Sequence, residues 1–149
     1  MPPPQYLLVC HCVPQAYGLR CRPVSCVIDM AGPTDLTDDI APKTKNGAWT
    51  NEQIRLLLGG PPEKFKELAR NASPIFKVDS KTCPLLIVHG KKDDIVPVDQ
   101  AERFAATLKK AGVEVKLLVL EKEGHGVEST DSVFKFILAA NSFLKKHLK

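Results

Sequence analysis

Pro84-Leu85-Leu86-Ile87-Val88-His89-Gly90-Lys91-Lys92-Asp93-Asp94-Ile95-Val96-Pro97 decides how the rest of this 149-residue sequence is read. Its first half, Pro84 to Gly90, is apolar from Leu85 to Val88 and rich in branched residues. Such a run suits a strand covered on both faces, as in a parallel sheet. A polar loop, Lys91 to Pro97, leaves the end of that strand. After it, Val98, Ala101, Phe104, Ala105, Leu108 and Ala111 recur at the spacing of one buried helical face, and Gly112 marks the helix end.

The pattern repeats on both sides. Downstream, Glu114 to Leu120 reads as another strand, Glu121 to Ser129 as a loop, and Asp131 to about Leu148 as a helix burying Val133, Phe136, Ile137, Ala140, Phe143 and Leu144. Upstream, Val24 to Met30 reads as a strand and Ala31-Gly32-Pro33-Thr34-Asp35 as the turn that ends it. Residues 36–50 read as loop. Asn51 is placed as the cap of a short helix, Glu52–Leu58, stopped by Gly59-Gly60, and Pro62 to Ala69 as a second short helix before Ser73-Pro74. Strands alternating with helices give an α/β fold, about three parallel strands flanked by helices with right-handed crossovers. Residues 1–23, with Pro2-Pro3-Pro4, Pro14 and Pro23, have no steady period and are set apart as an irregular N-terminal segment. Within it, Gln5–Val13 reads equally as helix or strand.

Composition removes several function classes. The formal net charge is +4, from 21 Lys and Arg against 17 Asp and Glu, and the basic residues are scattered without interleaved aromatics. That argues against a nucleic-acid groove. No apolar run approaches the ~20 residues of a membrane span, and no signal segment is visible, so a cytoplasmic location is expected. The five cysteines, Cys10, Cys12, Cys21, Cys26 and Cys83, are odd in number and match no zinc spacing; reduced thiols and no metal or other cofactor are expected.

Open parallel sheets place their sites where loops leave the C-terminal ends of strands. Two such loops carry Asp93 and Asp94, and His125. Neighbouring parallel strands lie roughly 5 Å apart, so a carboxylate in one loop can reach an imidazole in the next. An acid that fixes the tautomer of a histidine base is two-thirds of a Ser-His-Asp triad. Gly124 and Gly126 are read as letting the His125 loop bend tightly and leaving the ring open.

At this point the residues resemble a family. His89-Gly90-Lys91-Lys92-Asp93-Asp94-Ile95-Val96-Pro97 resembles the H-G-x-x-D-x-x-V-P segment of α/β-hydrolase esterases and prolyl-oligopeptidase-like enzymes, and Gly124-His125-Gly126 their G-H-G segment. Gly32-Pro33-Thr34-Asp35-Leu36 resembles the G-P-T-D-L turn, and Ala72-Ser73-Pro74 the A-S-P before the acid strand. The resemblance covers Val24 to Lys149 in family order and implies the C-terminal half of an α/β-hydrolase domain. It implies Asp93 as triad acid, with Asp94 the competing position, and His125 as triad base. It also implies hydrolysis of a small-molecule carboxylic ester by a serine nucleophile.

The sequence departs from the family at the nucleophile. No G-x-S-x-G occurs: Ser25, Ser73, Ser80, Ser129, Ser132 and Ser142 all lack the flanking glycines, and no H-G-G-G segment is present. The expectation is a truncated product, a fragment of a gene, or a chain that has lost catalysis, inactive alone. The alternatives are a non-catalytic degenerate module that binds a partner or forms a homodimer through an exposed sheet edge, and a prolyl-oligopeptidase-like peptidase fragment. Of the other chemistry-bearing residues, His89 is assigned to packing with a structural hydrogen bond. His11 and His147 are assigned to the surface, and Cys10 or Cys26 as a substitute nucleophile is disfavoured. Trp49 is left open between a substrate wall and local packing.

Overall fold

A computed structural model describes residues 24–40 and 42–148; the irregular segment 1–23, with Cys10, His11, Cys12 and Cys21, lies outside the described residues. Three strands, β1 (Val27–Met30), β2 (Leu85–Gly90) and β3 (Val115–Leu120), form one parallel sheet in the order β1-β2-β3. Val27 to Met30 pair with Leu85 to Val88, and Leu85 to Gly90 with Val115 to Leu120. The central strand carries the apolar run Leu85 to Val88, and all six of its residues are buried. A strand with a neighbour on each side and a helix over each face has no polar surface to present.

Alternation along β2 assigns each residue a face. Leu85 and Ile87 pack with Ala101, Phe104, Ala105 and Leu108 of α3 (Val98–Lys110). Leu86 and Val88 pack with Leu120 and with Ala139 and Phe143 of α4 (Thr130–His147). His89 continues the alternation onto the α3 side, which is why a polar ring is buried there. The stretch from Leu36 to Ala69 carries a separate small core of Leu36, Ile40, Ile54, Leu58 and Ala69, around α1 (Gly47–Leu58) and α2 (Lys66–Ala72).

Several boundaries differ from the sequence reading. Helix α1 begins at Gly47, so Asn51 is an interior residue and not a cap. Its side chain instead accepts from the Ile40 N–H at 3.1 Å and donates to Asp39 at 2.7 Å, tying the preceding loop to the helix. Helix α2 runs from Lys66 to Ala72 rather than from Pro62 to Ala69. The N–H groups of Lys64 and Phe65 bond to the Pro61 and Pro62 carbonyls, so this stretch is a turn that precedes the helix. In α4, Ile137 is 47% exposed, because a three-stranded sheet covers less of an 18-residue helix than its apolar positions offer. His147 is half-buried and not a free surface residue: its ring tilts against Phe143 at 4.6 Å, and its Nε2 lies 3.4 Å from Glu114. Trp49, on α1, is largely exposed.

Two predicted stops are where turn chemistry puts them. Gly59 and Gly112 adopt φ of 77° and 76°, the left-handed conformation that glycine reaches without steric cost. Among the described residues no helix is long and apolar enough to cross a membrane.

Candidate active site

Two loops leave the same end of the sheet, and backbone hydrogen bonds zip them together. Past the end of β2, the Lys91 N–H donates to the Leu120 carbonyl at 3.0 Å and the Lys92 N–H to the Glu123 carbonyl at 2.9 Å. The approach is so close that a Cβ placed on Gly90 would lie 1.9 Å from the Gly124 carbonyl oxygen. Gly90 is therefore the glycine this site requires. The two glycines beside His125 are different from what the sequence suggests. Neither has a positive φ, and a Cβ on Gly124 would meet only the Lys92 carbonyl, at 3.9 Å.

Asp93 sits where the first loop turns. Its Oδ1 accepts the N–H groups of Ile95 and Val96, each at 2.9 Å, so the carboxylate caps its own loop. Its Oδ2 is then aimed across the zipped backbones and meets His125 Nδ1 at 2.9 Å. It also lies 3.2 Å from His89 Nε2. Burial pushes the Asp93 carboxyl up. The two imidazoles, His125 first and then His89, and the two backbone donors outweigh that and hold it well below the usual carboxylate range. Asp93 is therefore a carboxylate, acceptor only, and the proton between the two residues belongs to His125 Nδ1.

Asp94, the competing acid, faces elsewhere. Its Oδ2 accepts from Asn46 Nδ2 at 2.7 Å and its carbonyl from the Asn46 N–H at 2.8 Å. With Thr50 donating to the Ile95 carbonyl at 2.8 Å, these bonds dock the start of α1 onto the acid loop.

The His125 loop has its own staple, which sequence reasoning missed. The Glu123 carboxylate accepts the Glu128 N–H at 3.0 Å and the Ser129 hydroxyl. The Ser129 hydroxyl, then the Ser132 hydroxyl and the Glu128 N–H, pull the Glu123 carboxyl down to about 2. Ser129 in turn caps α4, its Oγ accepting the Ser132 N–H at 3.4 Å. The loop is thus closed at its base, while the His125 side chain keeps 26% exposure at its tip. With Nδ1 turned to Asp93, Nε2 is the ring nitrogen left for another partner.

The other candidates fall away from this point. Cys26 precedes β1, at the opposite end of the sheet, and packs at the edge of the α4-side core. Ser73 is buried, accepting the Leu36 N–H at 2.8 Å and donating to the Ala69 carbonyl at 2.7 Å. Among the described residues no three or more His, Cys, Asp and Glu side chains gather as a metal ligand set.

The turn after β1 is held by Gln100 of α3, another residue the sequence reading passed over. Its Oε1 accepts the N–H groups of Thr34 and Asp35 at 2.9 and 2.8 Å, and its Nε2 donates to the Asp35 carbonyl at 3.2 Å. Arg103, one turn further along, bridges Asp35 at 2.9 Å and Asp38 at 2.6 Å. A lone glutamine among charged residues carries no signal of this kind in its spacing.

Residues 15–108 match the sequence profile of the BD-FAE family. Acylamino-acid-releasing enzyme 1 of Oryza sativa subsp. japonica is 36% identical over 76 residues, 51% of this chain and 10% of that protein. Esterase LipC of Mycobacterium tuberculosis is 29% identical over 109 residues, 72% of this chain and 27% of that protein. Among solved structures, a puromycin-hydrolysing peptidase of Mycobacterium tuberculosis superposes with a TM-score of 0.70 at 29% identity, covering 83% of this chain and 18% of that one. The chain therefore spans a tenth to about a quarter of the length of these relatives.

Proposed function

The chain belongs to the BD-FAE family, within the α/β-hydrolase esterases and peptidases, and from that premise we propose that it carries the acid–base half of a serine hydrolase acting on carboxylic esters. The observation that carries the reading is the 2.9 Å contact between Asp93 Oδ2 and His125 Nδ1 at the C-terminal ends of β2 and β3. In this mechanism His125 Nε2 takes the proton of an attacking serine hydroxyl and later returns it to the leaving alcohol. Asp93 keeps Nδ1 protonated and stabilises the imidazolium that forms. An oxyanion hole and a nucleophile are the remaining parts such a reaction needs.

No serine of the sequence stands in a G-x-S-x-G elbow, so the proposal includes that this chain alone does not turn over. Loss of the nucleophile typically costs on the order of a million-fold. Fluorophosphonate labelling, mapped by mass spectrometry, tests this. The expected result is a folded chain with no labelled serine. A single labelled serine, lost in His125→Ala, would overturn the inactivity and reveal a nucleophile outside the elbow pattern.

A second reading is a binding module that pairs with its own copy. It is favoured by β1, which pairs only with β2 among the described residues and so leaves one edge free for another strand. Sedimentation giving a monomer at all concentrations would sink it. A peptidase reading rests on the peptidase relatives, and hydrolysis of an acyl-peptide but not an ester by a nucleophile-bearing form would favour it.

A further inference from the structure

Asp93 is held by two histidines, and the acid–base reading uses only one. His89 is buried at the end of β2, 1% exposed. Its Nε2 lies 2.9 Å from the Val96 carbonyl and 3.2 Å from Asp93 Oδ2. Both partners are acceptors, one a carbonyl and the other a carboxylate. Nε2 must therefore carry the proton and share it between them, whatever the charge of the ring. The tautomer of a buried histidine is thus fixed by the same carboxylate that fixes the tautomer of His125.

The geometry around Asp93 shows what this does. Oδ1 is pinned by two backbone N–H groups, and Oδ2 receives two imidazole donors from different directions. Without His89, only His125 would hold Oδ2, and the more exposed ring would have to set the angle of the acid meant to orient it. His89 also reaches Val96, the residue whose N–H holds Oδ1, so one ring braces both the loop and the carboxylate.

The far side of the His89 ring is equally specific. Nδ1 is buried and has no hydrogen-bond partner. Asp29, buried on the neighbouring strand β1, acts on this ring electrostatically. Burial pushes the Asp29 carboxyl up, while His89 pulls it back. For His89, burial lowers the ring; Asp93, then the Val96 carbonyl, and Asp29 more weakly, more than reverse that. A structural histidine needs one hydrogen bond. This one has two acceptors on a single nitrogen, the Val96 carbonyl and the carboxylate that contacts His125.

We infer that His89 is a positioning residue for the Asp93–His125 pair, its Nε2–H holding Oδ2 at the angle from which it meets His125. The inference rests on the acid–base reading of that pair. Two donors on one oxygen share its charge, so removal of one strengthens the other. His89→Leu removes the donor at similar volume. His89→Gln keeps an N–H at about the reach of Nε2.

Proton and nitrogen spectra of the imidazoles test this on the chain as it stands. In the unsubstituted protein, His89 is expected to be protonated on Nε2, and His125 to show a hydrogen-bonded Nδ1 proton far downfield. In His89→Leu that His125 proton moves further downfield, and in His89→Gln it returns to its original position. A bare Nε2 on His89 overturns the inference even if neither variant folds. So does a His125 signal that stays in place in a folded His89→Leu. Absence of any Nδ1 proton on His125 in the unsubstituted chain would instead refute the acid–base pair itself, which keeps the two failures apart.

Discussion

Gly90→Ala is the substitution whose outcome the structure fixes most narrowly. The added Cβ would lie 1.9 Å from the Gly124 carbonyl oxygen and 2.6 Å from that of Glu123, both backbone atoms that cannot rotate away. Ordinary contact begins near 3.4 Å, so the His125 loop must retreat by roughly 1.5 Å, the difference between 3.4 and 1.9, where overpacking costs about 1–3 kcal/mol. That retreat stretches the Lys92 to Glu123 bond from 2.9 Å and the Asp93 to His125 contact from 2.9 Å, both past hydrogen-bonding range. Each lost bond adds about 1 kcal/mol, for a total of about 3–5 kcal/mol once the clash is included. Urea unfolding reads the loss as a fall in midpoint at constant slope. Gly124→Ala is the control: its Cβ meets only one oxygen, at 3.9 Å, and φ there is not positive, so a change within about 0.5 kcal/mol is expected. Equal effects of the two substitutions, or a Gly90→Ala protein as stable as its parent, would refute the argument that the loops are zipped at this glycine.

Two further outcomes follow from side chains that serve the backbone. Gln100→Leu leaves the Thr34 and Asp35 N–H groups without their acceptor, a cost of about 2–6 kcal/mol at 1–3 kcal/mol for each buried donor, measurable by urea unfolding. Glu123 is held at about 2, below its unfolded value of roughly 4.3. Its contribution is complete above the unfolded value and is lost as pH falls through the folded one. Glu123→Gln should therefore flatten the loss of stability on acidification from about pH 4.5 downward, checked by thermal unfolding across that range. A slope unchanged from the parent would rule out this role for Glu123.

Much of this architecture is written locally. The run from Leu85 to Val88 is apolar throughout because the strand is covered on both faces, and that cause is visible in the residues themselves. Parallel topology made it legible that the loop of Asp93 and Asp94 lies beside that of His125, so that polar residues far apart in sequence become neighbours, while the choice of Asp93 over Asp94 came from the resemblance. What failed to show was set by distant partners. Helix α1 has no side-chain cap, and its start at Gly47 goes with Asn46 docking on Asp94. Asn51, the plausible local cap, is spent on Ile40 and Asp39 instead. The need for glycine at position 90 comes from a carbonyl 34 residues away, whereas the glycines beside His125 caught attention by adjacency alone. His89 looked like a packing residue because its position on a buried strand is legible and its second acceptor is not.

The proposed acid–base pair requires Asp93 to orient His125 through Nδ1 and leave Nε2 for substrate. The direct measurement is the nitrogen spectrum of neutral His125 in the parent chain and in Asp93→Asn. The asparagine oxygen can still accept from Ile95 and Val96, so the loop is preserved while the group facing Nδ1 becomes a donor. Nδ1–H in the parent and a swing to Nε2–H in the variant are expected. Nε2–H in the parent, or the same tautomer in both, would contradict it.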